Sequence, residues 1–340
     1  MADNADTSFE QPTLTLQQAL DLALQHHASG DLSKAEIIYQ QVLKSDPNQP
    51  VALHLLGVVA HQSGKNDIAV DFITKSLALR PDYVEAHNNL GNTLVALGKL
   101  DDAVTSYQKV FEFNPDFAAA HNNLGNAQQK LGRLDEAVTS YHKALSIKPD
   151  YAEAHNNLGA TFRELGQPDK SVECYQKALA IKADYAEAHN NLGLALQELG
   201  KPEEALESYY KALNLRSDFA EAHNNLGATF RELGHPDKSV ECYQKALAIR
   251  ANYAEAHNNL GAVFQGLGRL DEAVTHCQQA LDINPDFPEG NYNLGRVLLN
   301  LGKFKEGLEY TRKGHGVIEF SNDKSSNFSI ISGLQRKAET

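Results

Sequence analysis

The pentapeptide His-Asn-Asn-Leu-Gly occurs six times in this chain, at His87–Gly91, His121–Gly125, His155–Gly159, His189–Gly193, His223–Gly227 and His257–Gly261. Each copy begins 34 residues after the last. A fixed period of this length is the mark of stacked supersecondary units. It limits the chain to a quasi-one-dimensional architecture, in which each unit buries its apolar face only against its neighbours. A residue recurring at that period forms a row along the stack and not a point site.

Counting Gly91 as residue 8 of a unit starts the repeats at Leu16, Pro50, Val84, Ala118, Ala152, Ala186, Ala220, Ala254 and Pro288. Nine units then fill residues 16–321, with a disordered N-terminal segment at 1–15 and a tail at 322–340. Residue 7 is leucine in all nine, residue 15 is glycine in all nine, and residue 8 is glycine in eight, with Ala23 in the first. Each unit reads as two helices, A and B. In the fifth they are predicted at 152–165 and 169–182, separated by Gly166, which suits the left-handed conformation that ends a helix. Small residues at 8 and at 20 (Ala103, Ala137, Ala205, Ala273) let the two helices approach closely, and an aromatic ring at 24 (Tyr107, Tyr141, Tyr175, Tyr209, Tyr243) fills the space beside them. The end repeats decay, as terminal units with one face in water do. After Gly316, residues 317–320 and 327–331 read as two short strands around a turn, a frayed tail or the remnant of an adjoining domain.

The chain has 340 residues and a net charge of −13. That balance argues against nucleic acid or an anionic membrane as the main partner. Met1–Gln11 lacks the basic start and apolar run of a signal peptide, so a cytoplasmic protein is expected. Cys174 and Cys242, 68 residues apart, are copies of one core position and not a disulfide pair.

Leu-Gly at 7–8, the large apolar residues Phe162, Phe230 and Phe264 at 11, a small residue at 20, tyrosine at 24 and proline at 32 (Pro47, Pro81, Pro115, Pro149, Pro285) resemble the tetratricopeptide repeat. The resemblance covers about nine tenths of the chain. It departs at residue 4, where histidine stands for the family's usual apolar residue, and at residue 32, where Ala183, Ser217, Ala251 and Glu319 replace proline. It implies an all-α fold, a right-handed α-solenoid of about nine helix-turn-helix repeats, with helices A lining a concave groove.

On a helical wheel the apolar stripe of helix A holds residues 4, 7, 8, 11 and 14, and the opposite face holds 2, 5, 6, 9, 12 and 13. Both asparagines of the pentapeptide are therefore expected at the groove: Asn89, Asn123, Asn157, Asn191, Asn225, Asn259 and Asn293 at residue 6, and Asn88, Asn122, Asn156, Asn190, Asn224 and Asn258 at residue 5. An amide side chain pairs with both the N–H and the C=O of a peptide unit, so a row of them suits an extended polypeptide of little sequence preference. The alternative is local bonding between neighbouring helices. Arg163 and Arg231, alternating with Gln197 and Gln265 at residue 12, and glutamates at residues 2 and 13 complete a mixed lining. The asparagine row is similar to the repeat region of O-linked N-acetylglucosamine transferases, which grips extended substrates. Members of the family that clamp a terminal carboxylate carry lysine at residue 5, which is asparagine here.

Stacked histidines lie too far apart to share one zinc, so a metal site is not expected. No phosphate-binding glycine loop or nucleophile elbow occurs, and the roughly 34 residues outside the repeats are too few for a catalytic domain. The expected function is a non-enzymatic scaffold, without a cofactor, that holds a protein or peptide in extended conformation. The alternatives are the substrate-recruiting part of a glycosyltransferase system whose catalytic domain lies elsewhere, and self-association through the end repeats.

Overall fold

A computed structural model describes residues 14–315, and these form 18 α-helices and no strand. Helices A begin at Leu16, Pro50, Val84, Ala118, Ala152, Ala186, Ala220, Ala254 and Pro288, and each is paired with a helix B. In the fifth repeat, helix A is Ala152–Glu164 and helix B is Pro168–Ile181. Helix B starts one residue before the sequence expectation. Pro168 itself is the first helical residue, where its missing N–H costs nothing. Thr15 caps the first helix, its side chain accepting from the Gln18 backbone while the Gln18 side chain accepts from Thr15 N–H. The expectations for the first 13 residues, for the end of the ninth repeat and for the strand-like tail lie outside the described residues.

The chain divides into two compact units at Leu165/Gly166, so the fifth repeat contributes helix A to the first and helix B to the second. Within each unit, successive helices pack side by side in chain order, and the helices A of adjacent repeats also meet directly.

Glycine at residue 15 has φ between +68° and +81° in all nine repeats. In the fourth, Gly132 N–H donates to Gln129 O and Arg133 N–H to Gln128 O, both at 2.9 Å. This double bond satisfies the last carbonyls of helix A and turns the chain into helix B.

The core is built from small residues around one ring per repeat. Ala86, Ala120, Ala154, Ala188, Ala222 and Ala256 at residue 3 are fully buried, as are Ala144, Ala178, Ala212, Ala246 and Ala280 at residue 27. Tyr107, Tyr141, Tyr175, Tyr209 and Tyr243 at residue 24 are among the largest fully buried side chains. The ring lies flat against the residue 8 glycine of its own repeat. A Cβ on Gly125 would stand 2.7 Å from Tyr141 Cε1, and one on Gly193 2.6 Å from Tyr209 Cε1. Where the ring is absent, Ile73, Cys277 and Thr311 take its place, and a Cβ on Gly57, Gly261 or Gly295 would clash with them in the same way.

Gly125→Ala is therefore expected to destabilise the chain. The change gains ~1 kcal/mol of helix propensity, but crowding a packed core costs ~1–3 kcal/mol. Gly266→Ala, with open space where its Cβ would lie, is expected to be neutral or slightly stabilising. Urea denaturation midpoints of the two variants measure the contrast.

Candidate functional site

Sequence reasoning puts both asparagines of the pentapeptide at the groove; the structure separates them. Asn88, Asn122, Asn156, Asn190, Asn224 and Asn258 at residue 5 are only 5–9% exposed. Within each unit, residue 5 points toward the next helix A, which covers it. Residue 6, a further ~100° round the helix, stays half-buried in all seven repeats that carry asparagine there.

The two positions bond to each other across repeats. In the first unit Asn123 Nδ2 donates to Asn88 Oδ1 at 3.2 Å, and Asn157 Nδ2 to Asn122 Oδ1 at 3.1 Å. In the second, Asn225 donates to Asn190 at 3.0 Å, Asn259 to Asn224 at 3.1 Å, and Asn293 to Asn258 at 2.8 Å. The row begins on a histidine, with Asn89 Nδ2 2.9 Å from His54 Nε2. His54 is 3% exposed, and burial pushes its pKa down to about 4, so it meets Asn89 as a neutral ring. Asn89, Asn157, Asn225, Asn259 and Asn293 thus each spend one donor on the preceding repeat, which sets their orientation, while Asn123 spends both, on Asn88 and Asn92.

In the first unit the helix-A face opens into a cavity of about 430 Å³ lined by Asn92, Asn123, Asn126, Gln129, Lys130 and Glu164, with Val95 and Tyr107 at its floor. Tyr107 Oη donates to Asn92 Oδ1 at 2.7 Å, and Tyr141 Oη to Asn126 Oδ1 at 2.7 Å. Asn92 Oδ1 also accepts from Asn123 Nδ2 at 3.1 Å. Asn92 Oδ1 thus accepts two bonds and Asn126 Oδ1 one, which turns the NH₂ group of each toward the cavity as the end left to a ligand. Burial raises both tyrosine pKa values far above the ordinary range, keeping the hydroxyls protonated as donors. Asn92 and Asn126 were not singled out from sequence. The signal was there: they are the only amides at residue 9, where other repeats carry Leu24, Val58, Ala160, Leu194, Ala228, Ala262 and Arg296.

Residue 12 bridges to residue 13 of the next repeat along this face. Gln129 Nε2 donates to Glu164 Oε1 at 2.6 Å, and Gln197 Nε2 to Glu232 Oε2 at 3.3 Å. Arg163 is half-buried and Arg231 exposed at the same register. The glutamates at residue 2 contribute less to the lining than their number suggests. Glu187 is paired with Arg216, and Glu221 with Arg250 at 2.8 Å, each at the far end of helix B of its own repeat. The two arginines also lie over the rings of Phe219 and Tyr253, 3.6 Å from each centroid. These corners brace the loop between repeats.

The histidines of the pentapeptide belong to the same corner. Their Nε2 lies 2.8–3.1 Å from the carbonyl oxygen six residues earlier: His87 on Pro81, His121 on Pro115, His155 on Pro149, His189 on Ala183, His223 on Ser217 and His257 on Ala251. A carbonyl only accepts, so Nε2 carries a proton in each; in His257 the other nitrogen, Nδ1, lies 3.1 Å from His276 Nδ1. Asn291 takes the same role in the ninth repeat, donating to Pro285 O at 3.3 Å. The apolar-stripe assignment of residue 4 is thus refined to a polar staple that ties each loop to the next helix A. Among the described residues, no three His, Cys, Asp or Glu side chains group as a metal site. Cys174, Cys242 and Cys277 are buried thiols, raised by burial to about 11, 11 and 12.

Models of the tetratricopeptide repeat match residues 116–184, 152–218 and 184–252, and others match 72–105, 91–132, 254–287 and 276–309. The chain belongs to the tetratricopeptide repeat family. It is similar to the APC/C hetero-tetramer Cut9–Hcn1, with a TM-score of 0.63 and 21% identity, over 78% of this chain and 52% of that one. It therefore spans about half the length of that chain. It is also similar to PilF of Pseudomonas aeruginosa, with a TM-score of 0.52 and 22% identity, over 57% of this chain and 88% of that one. At these identities the likeness is one of fold. Comparison with curated proteins finds no match. No described helix of this tetratricopeptide repeat chain is long and apolar enough to cross a membrane.

Burial lowers the pKa of His121, His189, His223 and His257, besides that of His54. The unfolded chain, with histidines near 6.5, takes up protons first. Their contribution to stability is full above about pH 6.5 and is lost as pH falls below it, down to about 4 for His54. Thermal unfolding is expected to show a lower Tm at pH 5 than at pH 7.5. Because Asn291 shows that asparagine can make the same bond, the triple variant His121→Asn, His189→Asn, His223→Asn should retain most of its Tm at pH 7.5 and lose less on acidification.

Proposed function

We propose that this protein is a non-enzymatic scaffold that holds an extended segment of a partner protein along the helices A. The observation that carries the reading is the orientation of the residue 6 amides. Asn123, Asn157, Asn225, Asn259 and Asn293 are each fixed by a bond to the preceding repeat and each remains half-buried on that face. A fixed amide loses little entropy on engaging a ligand, and a row of them accumulates affinity over successive repeats. Except at Asn123, whose two donors are both spent, the carboxamide keeps an acceptor and a donor for a peptide unit, so recognition falls on the backbone, which every sequence shares. In the first unit, Asn92 and Asn126 widen the row to two amides per repeat beside the cavity.

The reading is tested with reduced, carboxymethylated α-lactalbumin as an unfolded polypeptide probe. The wild type should bind it, and Asn225→Ala, Asn259→Ala, Asn293→Ala together should weaken binding about tenfold or more. The same variant uncovers the buried Asn190, Asn224 and Asn258 carbonyls, each costing ~1–3 kcal/mol. Binding is therefore compared at a temperature where circular dichroism shows both proteins folded. Equal affinity of the two proteins would refute the amide row as the binding element. With UDP-N-acetylglucosamine added, the chain alone is expected to transfer no sugar to the probe; transfer would overturn the non-enzymatic reading.

A further inference from the structure

The helices B of the second unit carry a periodic feature of their own, on a different face from the amide row. Residue 30 of each repeat is large and apolar yet left exposed: Ile181, Leu215, Ile249 and Ile283 are 36–45% exposed. Three notches of about 410, 380 and 390 Å³ lie beside this row. Leu179, Ala183, His189, Lys211 and Leu215 wall the first. The second repeats it position by position with Leu213, Ser217, His223, Lys245 and Ile249. The third ends the pattern, with Gln279 in place of the lysine and Asp282 beside it.

Two local choices open these notches. Residue 32 is Ala183, Ser217 or Ala251, where the first four repeats place the ring of Pro47, Pro81, Pro115 or Pro149. Residue 28 is leucine, as in most repeats, whereas in the third repeat Phe111 occupies that register. Its ring stacks on His121 with centroids 3.9 Å apart, covering the equivalent histidine. The small residue and the leucine leave His189 and His223 flanked by open apolar walls.

The charge here runs against that of the chain. The molecule carries −13 overall, but the charged side chains lining the first two notches are Lys211 and Lys245. Lys211 reaches only Glu207, one turn back on its own helix and half-exposed, a pair worth little in water. Lys245 has no ion pair among the described residues. Nearby Arg216 and Arg250 are already held by Glu187 and Glu221. A row of exposed apolar side chains with cavities behind it, rimmed by Lys245 and by Lys211 with its solvent-exposed partner, matches an apolar ligand with negative charge.

We propose that this face docks an acidic, amphipathic segment of a partner protein, which seats an apolar side chain in successive notches and sets carboxylates against Lys211 and Lys245. The site is independent of the amide row, so the two fail separately. A library of random displayed peptides is selected on the full chain, and the best binder is synthesised and titrated against three variants. Leu213→Phe, Ser217→Pro closes the second notch with residues that this chain itself uses at 28 and 32 in other repeats. Lys211→Glu, Lys245→Glu reverses the rim charge at exposed positions and stands as the test if the first variant unfolds. Asn225→Ala, Asn259→Ala removes amides from the other face and leaves the Asn190 and Asn224 carbonyls without their donors, so it is titrated at a temperature where circular dichroism shows it folded.

The expected result is a selected peptide rich in Asp and Glu with at least two large apolar residues. The closed and charge-reversed variants should bind it about tenfold or more weakly, and the asparagine variant as tightly as wild type. Failure to enrich acidic peptides, or equal binding by the closed and charge-reversed variants, would overturn the proposal. So would binding lost only in the asparagine variant. Cosedimentation with phosphatidylserine vesicles abolished by the charge reversal would assign the face to a lipid surface, and concentration-dependent self-association abolished by the same change would assign it to a second copy. Either would also overturn the proposal.

Discussion

The contact between the residue 8 glycine and the residue 24 ring underlies the rest of the structure. Because Gly125 has no Cβ, the Tyr141 ring lies directly on the backbone of helix A, and helices A and B come together without an intervening side chain. The core around that approach is built largely from small residues, alanine at residue 3 in the second to eighth repeats and at residue 27 in the fourth to eighth, with Val42, Ser76 and Val110 buried at residue 27 of the first three. The same approach aims the tyrosine hydroxyl through the helix pair toward the helix-A face, where it fixes Asn92 and Asn126. The packing contact and the candidate binding face are therefore joined by one side chain.

Between repeats the linkage is polar as well as apolar: buried clusters such as Leu94, Tyr107 and Leu124, or Tyr209, Leu226 and Phe230, run from one repeat into the next, and directional hydrogen bonds are added to them. The histidine staple holds each loop carbonyl, the residue 31 arginine lies over the residue 34 ring and pairs with the residue 2 glutamate, and the asparagines bond from one helix A to the next. Hydrogen bonds demand direction as well as proximity. Each added repeat is thereby held in a set orientation to the one before it, and a face assembled from several repeats can keep constant spacing within a unit. The amides that serve this linkage are also the ones offered to a ligand, so recognition and stacking share residues. Variants on this face must be judged on both.

Much of this was legible in the sequence, because the period multiplies every signal. One glycine at residue 15 is a weak turn marker; nine in register define the end of every helix A, and all nine have positive φ. The close approach at residue 8 followed in the same way from Leu-Gly and the tyrosine at 24. The asparagines were read less well. A helical wheel places residues 5 and 6 on the same outward arc, but a wheel contains one helix. Asn122 is buried because Asn157 and its helix lie over it. Asn92 and Asn126 escaped notice because they break the period, and the period was the signal being followed.

The 34-residue register thus determined, from sequence alone, the family, the helix pairs and which residues build their shared core, since each of those is a contact within one repeat or its copy. Only the tertiary structure decided which polar residues are spent on the fold and which remain for a partner. It buried Asn88 and left Asn89 half-buried, turned the histidines into loop staples, and opened notches beside Lys211 and Lys245. Those outcomes depend on the neighbouring helix, which a repeat read singly does not contain.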